Sequence, residues 1–338
     1  MTDIEIIDGT EGAGLAERVR GAVAAEKLTV GEAAKLAGLG ESTLAAWLSG
    51  TYAGNNERVA QKLEIWLGTQ AGRMKVKREM PAIPYAATPT AEMIEGALEH
   101  AQMVPDVVVI TGGAGVGKTV ACRHYAGSHP NVWLLTAEPS LSSAYAVLDY
   151  LGEVTGVAES AAQKRSRAIA GRLAGTAGLL IVDEAQHLST GAIDQLRAIH
   201  DRADVGLALA GNEQVWSRLD GGGRKAEFAQ LFSRVGMRVA ALRPTAKDVA
   251  AILNTAGVTG TKERGLLNAI ARKPGALRGM AKVLRVARMV AAGAGEEMGE
   301  AHLEAAWARI AGHAGGVGGA PGGPAWPAGP TWPEERAA

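Results

Sequence analysis

Residues 106–119, DVVVITGGAGVGKT, decide how the rest of the chain is read. Within its first half, residues 107–111 are an unbroken run of β-branched residues, the pattern of a strand buried on both faces. The second half fits G-x-x-x-x-G-K-[ST], with Gly112, Gly117, Lys118 and Thr119 at the fixed positions. A strand that runs into a glycine-rich turn and then a helix is the setting in which this pattern binds nucleotide phosphates. Glycines let backbone N–H groups close around the phosphates, and the next helix points its positive end at them. Gly112, Gly113, Ala114, Gly115, Val116, Gly117, Lys118, Thr119 and Val120 are therefore expected to hold ATP. Lys118 should reach the β- and γ-phosphates, and the Thr119 hydroxyl should ligate Mg²⁺.

Three more apolar runs follow: NVWLLTAE at 131–138, GLLIVDEA at 178–185 and VGLALAGN at 205–212. Helical stretches separate them, which predicts an α/β P-loop NTPase core with a parallel sheet covered on both faces. Asp183 and Glu184 stand at the carboxyl end of the second of these runs, where open α/β sheets bind ligands. Asp183 is placed to hold Mg²⁺ through water, and Glu184 to act as general base for the attacking water. A solvated acidic turn is the alternative for an isolated Asp-Glu pair, but a complete P-loop upstream favours the catalytic reading.

The flanks suggest further pieces. Residues 1–68 read as short helices, 69–89 as a linker, 90–242 as the NTPase core and 243–312 as an all-helical domain. The linker assignment rests on the charge run GRMKVKRE and the prolines of PAIPYAATP. Residues 313–338 are rich in Gly and Pro and are expected to be disordered. In the first piece, Thr29 should cap a helix over 30–36, Gly38 and Gly40 should shape a turn, and Gly50 should end a second helix begun at Glu41 or Ser42.

Bulk properties narrow the function classes. A chain of 338 residues is long enough for two or three domains. Lys plus Arg equals Asp plus Glu at 35 each, so any nucleic-acid contact must come from a local patch. The lone cysteine, Cys122, excludes a disulfide framework and reads as a small buried residue. No run approaches the ~18 apolar residues of a membrane span, and the acidic start lacks a signal-peptide pattern. The expectation is a cytoplasmic protein with no membrane partner.

With the P-loop and the Asp183–Glu184 pair in place, the core resembles an AAA+ ATPase. That resemblance implies further roles. Asn212, at the end of the last run, matches the residue that senses the γ-phosphate or the water. Arg234, in FAQLFSRVGMRV, lies in a setting like the arginine finger that completes a neighbouring subunit's site, with Arg238 in reserve. Arg278, in KPGALRGMAKVL, resembles the second sensor, although it also belongs to a basic helix face with Lys282, Arg285 and Arg288. A finger acting in trans makes the active form a homo-oligomer.

Residues 28–50 resemble a Cro/repressor-type helix-turn-helix through Ala34, Gly38, Leu44, Trp47 and Leu48. The second helix of such a module enters the major groove, which turns Ser42 and Thr43 toward DNA. That face is poor in basic groups, so base reading by Arg is not predicted; a helical hairpin for protein contacts is the competing reading. Phosphate contacts are expected from Lys35, Arg58 or Lys62, and from the basic run Lys164, Arg165 and Arg167 in the core.

The order of helix-turn-helix, linker, AAA+ core with D-E-A-Q-H, and short helical domain resembles the B transposition proteins of Mu-like phages. The stretch WLSGTYAGNNE at 47–57 adds to the likeness. The resemblance implies an ATPase that assembles on double-stranded DNA as a helical filament, with little sequence preference, in the bacterial host cell. It also implies recruitment of a transposase to target DNA, contact with which stimulates hydrolysis and disassembly. Two other classes compete: a helicase-loader or secretion-type remodelling ATPase, and a DNA-binding regulator switched by ATP. The intact Lys118, Asp183 and Glu184 oppose the switch, and the N-terminal helices oppose a secretion ATPase.

Overall fold

The structure, a computed structural model, describes residues 9–79, 83–220 and 234–312. It comprises two units, residues 1–82 and 83–338.

The first unit holds α1 (Gly9–Ala25), α2 (Val30–Leu36), α3 (Glu41–Leu48) and α4 (Asn56–Glu79). Thr29 caps α2 as expected: its hydroxyl accepts from the Glu32 N–H while the Glu32 carboxylate accepts from the Thr29 N–H. Gly38, at φ +65°, turns the chain between α2 and α3. Leu15, Val19, Ala33, Ala34, Leu44, Val59, Leu63 and Trp66 form the core of this unit.

The expected linker is corrected in its first half. Residues 69–79 continue α4 rather than leaving it. Arg, Met, Lys and Glu are good helix formers, and no proline intervenes before Pro81, so a charge run alone does not end a helix.

The second unit is built on a five-stranded sheet of order β2-β3-β4-β1-β5, every neighbouring pair parallel. Its strands are β1 (Val107–Gly112), β2 (Val132–Thr136), β3 (Leu179–Asp183), β4 (Gly206–Gly211) and β5 (Val235–Ala241). The first four coincide with the four apolar runs. The fifth is additional, because VGMRVAA at the sheet edge alternates between covered and exposed positions instead of forming an apolar run.

Alternate side chains enter separate cores. Val107, Val109, Leu180, Val182, Leu207 and Leu209 pack on α7 (Ala144–Thr155), α8 (Ala162–Leu173), α9 (Thr190–Ala203) and α10 (Glu213–Asp220). Val108, Ile110, Leu179, Ile181, Ala208 and Ala210 pack on α5 (Pro89–Met103) and α6 (Lys118–Ser128). This arrangement gathers the carboxyl ends of β1, β3 and β4 along one edge, where the expected site lies.

Four helices follow: α11 (Ala246–Thr255), α12 (Thr261–Ala271), α13 (Ala276–Ala294) and α14 (Glu300–Gly312). Their own core includes Val249, Leu253, Leu267, Met280, Leu284 and Leu303. Asp248 ties them to the sheet-bearing part. Its fully buried carboxylate accepts from the N–H and hydroxyl of Thr90 at the start of α5, at 2.8 Å each. It also accepts from the N–H and hydroxyl of Thr245, its own helix cap. The expected disordered tail, 313–338, lies outside the described residues. Among the described residues, no helix is long and apolar enough to cross a membrane.

Candidate functional site

Residues 112–117 leave β1 and enter α6 through a turn that only glycine fits at two key positions. A Cβ on Gly112 would lie 2.1 Å from the Ala241 carbonyl oxygen on β5. Gly115 has φ +79°, and a Cβ there would lie 2.2 Å from the Gly275 carbonyl oxygen. The loop is therefore pressed between the sheet edge and the entry to α13. The Leu277 N–H donates to the Gly115 carbonyl at 3.1 Å, closing that contact.

Lys118 opens α6 and curls back over the loop. Its ammonium donates to the carbonyls of Gly112 (2.8 Å) and Gly113 (3.0 Å). Burial pushes its pKa below the ordinary lysine value, while the nearby Glu184 and Asp183 charges pull the other way and Arg278 adds to the lowering. The lysine thus lies within the electrostatic reach of both acids and of Arg278.

Asp183 ends β3 almost wholly buried, and its Oδ1 accepts the Glu184 N–H at 3.0 Å. Glu184 has φ +55° and ψ +35°, a left-handed conformation that a non-glycine residue adopts at a cost of ~1–3 kcal/mol. That turn takes Glu184 out of the strand direction, half-exposed where Asp183 is buried. The close-packed glycines leave room for a chain of phosphates, and Thr119 and Asp183 offer a hydroxyl and a carboxylate, oxygen donors of the kind Mg²⁺ takes.

Asn212 follows β4. Its Oδ1 accepts the Gln214 N–H at 2.9 Å, which fixes the amide orientation, with Nδ2 as the donor on the other side. The Asn212 N–H in turn donates to Gln186 Oε1 at 3.2 Å, and Gln186 Nε2 donates to Glu184. Arg278, exposed in the first turn of α13, stands beside the P-loop: its Cβ lies 3.3 Å from the position of a Cβ on Gly115.

Other expected residues gather elsewhere. Arg234 precedes β5, and its Nε meets Asp201 of α9 at 2.6 Å. Residues 228–233 of the proposed finger motif lie outside the described residues. Arg238 pairs with Glu213 at 3.0 Å and lies over the Trp216 ring at 4.3 Å. The basic run on α8 is divided. Arg165 is paired with Asp149, donates to the Glu159 carbonyl and covers the Tyr145 ring, so it serves its own chain; Lys164 and Arg167 are exposed. Ser42 is exposed and Thr43 half-buried on α3. Burial, with the Asp183 charge adding to it, pushes the Cys122 thiol up to about 12, which agrees with a packing role.

Gln186, Gly275, Leu277 and Asp248 have functional neighbours that the sequence motifs do not predict. Gln186 lies inside D-E-A-Q-H, and Gly275 and Leu277 inside KPGALRGMAKVL, while the Thr245–Asp248 spacing is a capping-box signal.

Comparison with known proteins agrees with this geometry. The profile of the Mu B transposition protein C-terminal family matches residues 233–310, and that of an AAA domain matches residues 102–219. The ATP-dependent target DNA activator B of Escherichia phage Mu is 38% identical over 288 residues, 84% of this chain and 91% of that protein. The Mu-like prophage FluMu DNA transposition protein B of Haemophilus influenzae is 36% identical over 75% of this chain and 88% of its own length. Among solved structures, the Aeropyrum pernix ORC1 protein in complex with DNA superposes with a TM-score of 0.54 at 20% identity. That match covers 70% of this chain and 69% of the ORC1 chain, and it shows the shared AAA+ fold.

Proposed function

The chain belongs to the family of Mu B transposition proteins, and on that premise we propose that it binds duplex DNA with ATP and readies it as the target of a transposase. The observation that carries this reading is one chain uniting a P-loop, its lysine folded over the loop and an Asp-Glu pair at a strand end, with the helical C-terminal part that matches the family profile. The relatives' names state an ATP-dependent action on target DNA.

The chain is an AAA+ ATPase, and its residues take the following parts. The cradle at 112–120 and Lys118 bind the phosphates. Thr119 and Asp183 would hold Mg²⁺, which would supply positive charge against the phosphates. Glu184 receives the proton of the attacking water, and Asn212 donates to the γ-phosphate or that water. Arg278 approaches the γ-phosphate within the chain. Arg234 leaves Asp201 to reach a neighbouring subunit's site, so turnover requires a homo-oligomer, extended along DNA as a filament. The helix pair α2 and α3 meets DNA through Ser42 and Thr43, with Lys164 and Arg167 adding phosphate contacts from the core. The protein acts in the cytoplasm of the bacterial host.

Duplex DNA of mixed sequence should raise the ATPase rate more than in proportion to protein concentration, and electron microscopy with ATP and DNA should show extended assemblies. A rate linear in protein and indifferent to DNA rejects assembly as the active state. A remodelling ATPase of the helicase-loader kind predicts closed rings instead.

A further inference from the structure

The amide of Gln186 bridges two parts of the site that the chain brings together from different strands. It lies in the short helical turn Ala185–His187 that follows β3. Its Nε2 donates to Glu184 Oε2, and its Oε1 accepts the Asn212 N–H at 3.2 Å. Chemistry fixes the orientation of the amide: flipped, it would set oxygen against a carboxylate and nitrogen against an N–H. Space for it is built into the neighbouring strand. β4 ends on Gly211, where a Cβ would lie 2.4 Å from Gln186 Oε1, so any larger residue would displace the amide.

Glu184 needs such a partner. Its backbone is in the left-handed region, and its half-exposed side chain projects from a short turn rather than from a regular element. Asn212 is held at its N–H by Gln186 and at its Oδ1 by Gln214 N–H, the first turn of α10. One amide thus joins the end of β4 to the Glu184 carboxylate.

We propose that Gln186 is a positioning residue that couples the state of Asn212 to the orientation of the Glu184 carboxylate. It sets where the attacking water is activated according to what Asn212 contacts. The inference rests on the reading of Glu184 as general base. It concerns turnover and leaves nucleotide binding to the P-loop.

The test is the ATPase activity of the full chain with duplex DNA, read as kcat and KM separately, with a thermal melt as control. Gln186→Ala should lower kcat by about 10–100-fold, the scale of a misplaced catalytic group, with KM for ATP within about twofold of the parent. Gln186→Glu keeps the length of the side chain and still accepts from Asn212, yet it cannot donate to Glu184. It should lose at least as much, whereas a packing role predicts near-parental turnover. In a Glu184→Gln background, measured by single turnover, Gln186→Ala should cost nothing more; an additive loss overturns the coupling. Parental kcat in Gln186→Ala or Gln186→Glu also overturns it, as does a KM that rises in step with a falling melting temperature. The two readings fail differently. Parental turnover in Glu184→Gln removes the general base and this inference with it. An inactive Glu184→Gln beside a fully active Gln186→Ala removes the inference alone.

Discussion

The ATP site and the N-terminal helix pair place their working residues in opposite ways. Around the P-loop, each group is held in place: Lys118 by two carbonyls, Asp183 by burial at a strand end, Glu184 by Gln186, and Gly115 by the entry to α13. On α2 and α3 the ordered interactions lie beneath the surface, in the cap at Thr29 and in the core around Leu44, while Ser42 and Lys35 are exposed. Chemistry on a transferring phosphoryl group needs charges fixed before the reaction, whereas sequence-tolerant contact with a regular phosphate backbone does not. On the proposed function, the first surface serves precision and the second tolerance.

The hardest test of that contrast is Lys118→Ala. Removing one preorganised cation from the site should cost about 10²–10³-fold in ATP turnover, ~3–4 kcal/mol of transition-state stabilisation. The melting temperature should hold or rise, because burial disfavours the lysine charge in the folded chain. A variant that loses its fold together with its activity would show that the site is also a structural keystone.

Asp248→Ala separates scaffold from chemistry within the same unit. Four hydrogen bonds from Thr90 and Thr245 end on this one buried carboxylate. Their loss should cost about 2–3 kcal/mol of unfolding free energy at neutral pH and raise hydrogen exchange at the starts of α5 and α11. Burial alone would raise the Asp248 pKa, but the donated hydrogen bonds outweigh it and hold the value below the ordinary one. The sign of the pH effect follows. The stabilisation is complete above the unfolded-state pKa of ~3.9 and is lost as pH falls through the lower folded-state value. The stability of Asp248→Ala should therefore fall less steeply with acid than that of the parent.

What could be read in the sequence follows the range of the interactions. The P-loop and the Asp-Glu pair were legible because their chemistry is written in consecutive residues on buried apolar strands. β5 was not, because an edge strand alternates and Gly236 with Arg238 weakens even that pattern. Gln186 and Asp248 acquire meaning from partners 26 and 158 residues away, which only the strand order brings near. Arg165 shows the same limit in reverse. It is one of three basic residues within four positions, but the fold spends it on Asp149, the Glu159 carbonyl and Tyr145. Residues 69–79 carried a charge run that suggested a linker, yet helix propensity carried α4 through it.

The smallest expected effect belongs to the tolerant surface. Arg58 is exposed at the start of α4, whereas Lys62, one turn on, has its ammonium donating to the Gly38 carbonyl at 2.7 Å. Arg58→Ala should weaken duplex binding only a few-fold, equally on unrelated sequences, and should lessen the slope of log affinity against log salt by about 0.9 for the lost phosphate contact. Fluorescence anisotropy across a potassium chloride series measures both. Lys62→Ala should act chiefly through the turn that Gly38 shapes, with a smaller change in slope. A loss that varies with DNA sequence would mean base reading by α3, through Ser42 and Thr43, and the tolerant character of this surface would be wrong. An unchanged slope here, with a fall in Lys164→Ala or Arg167→Ala, would move the phosphate contacts to α8. The ATPase unit would then carry both the precise surface and the tolerant one, and the N-terminal helices would be left for contact with another protein.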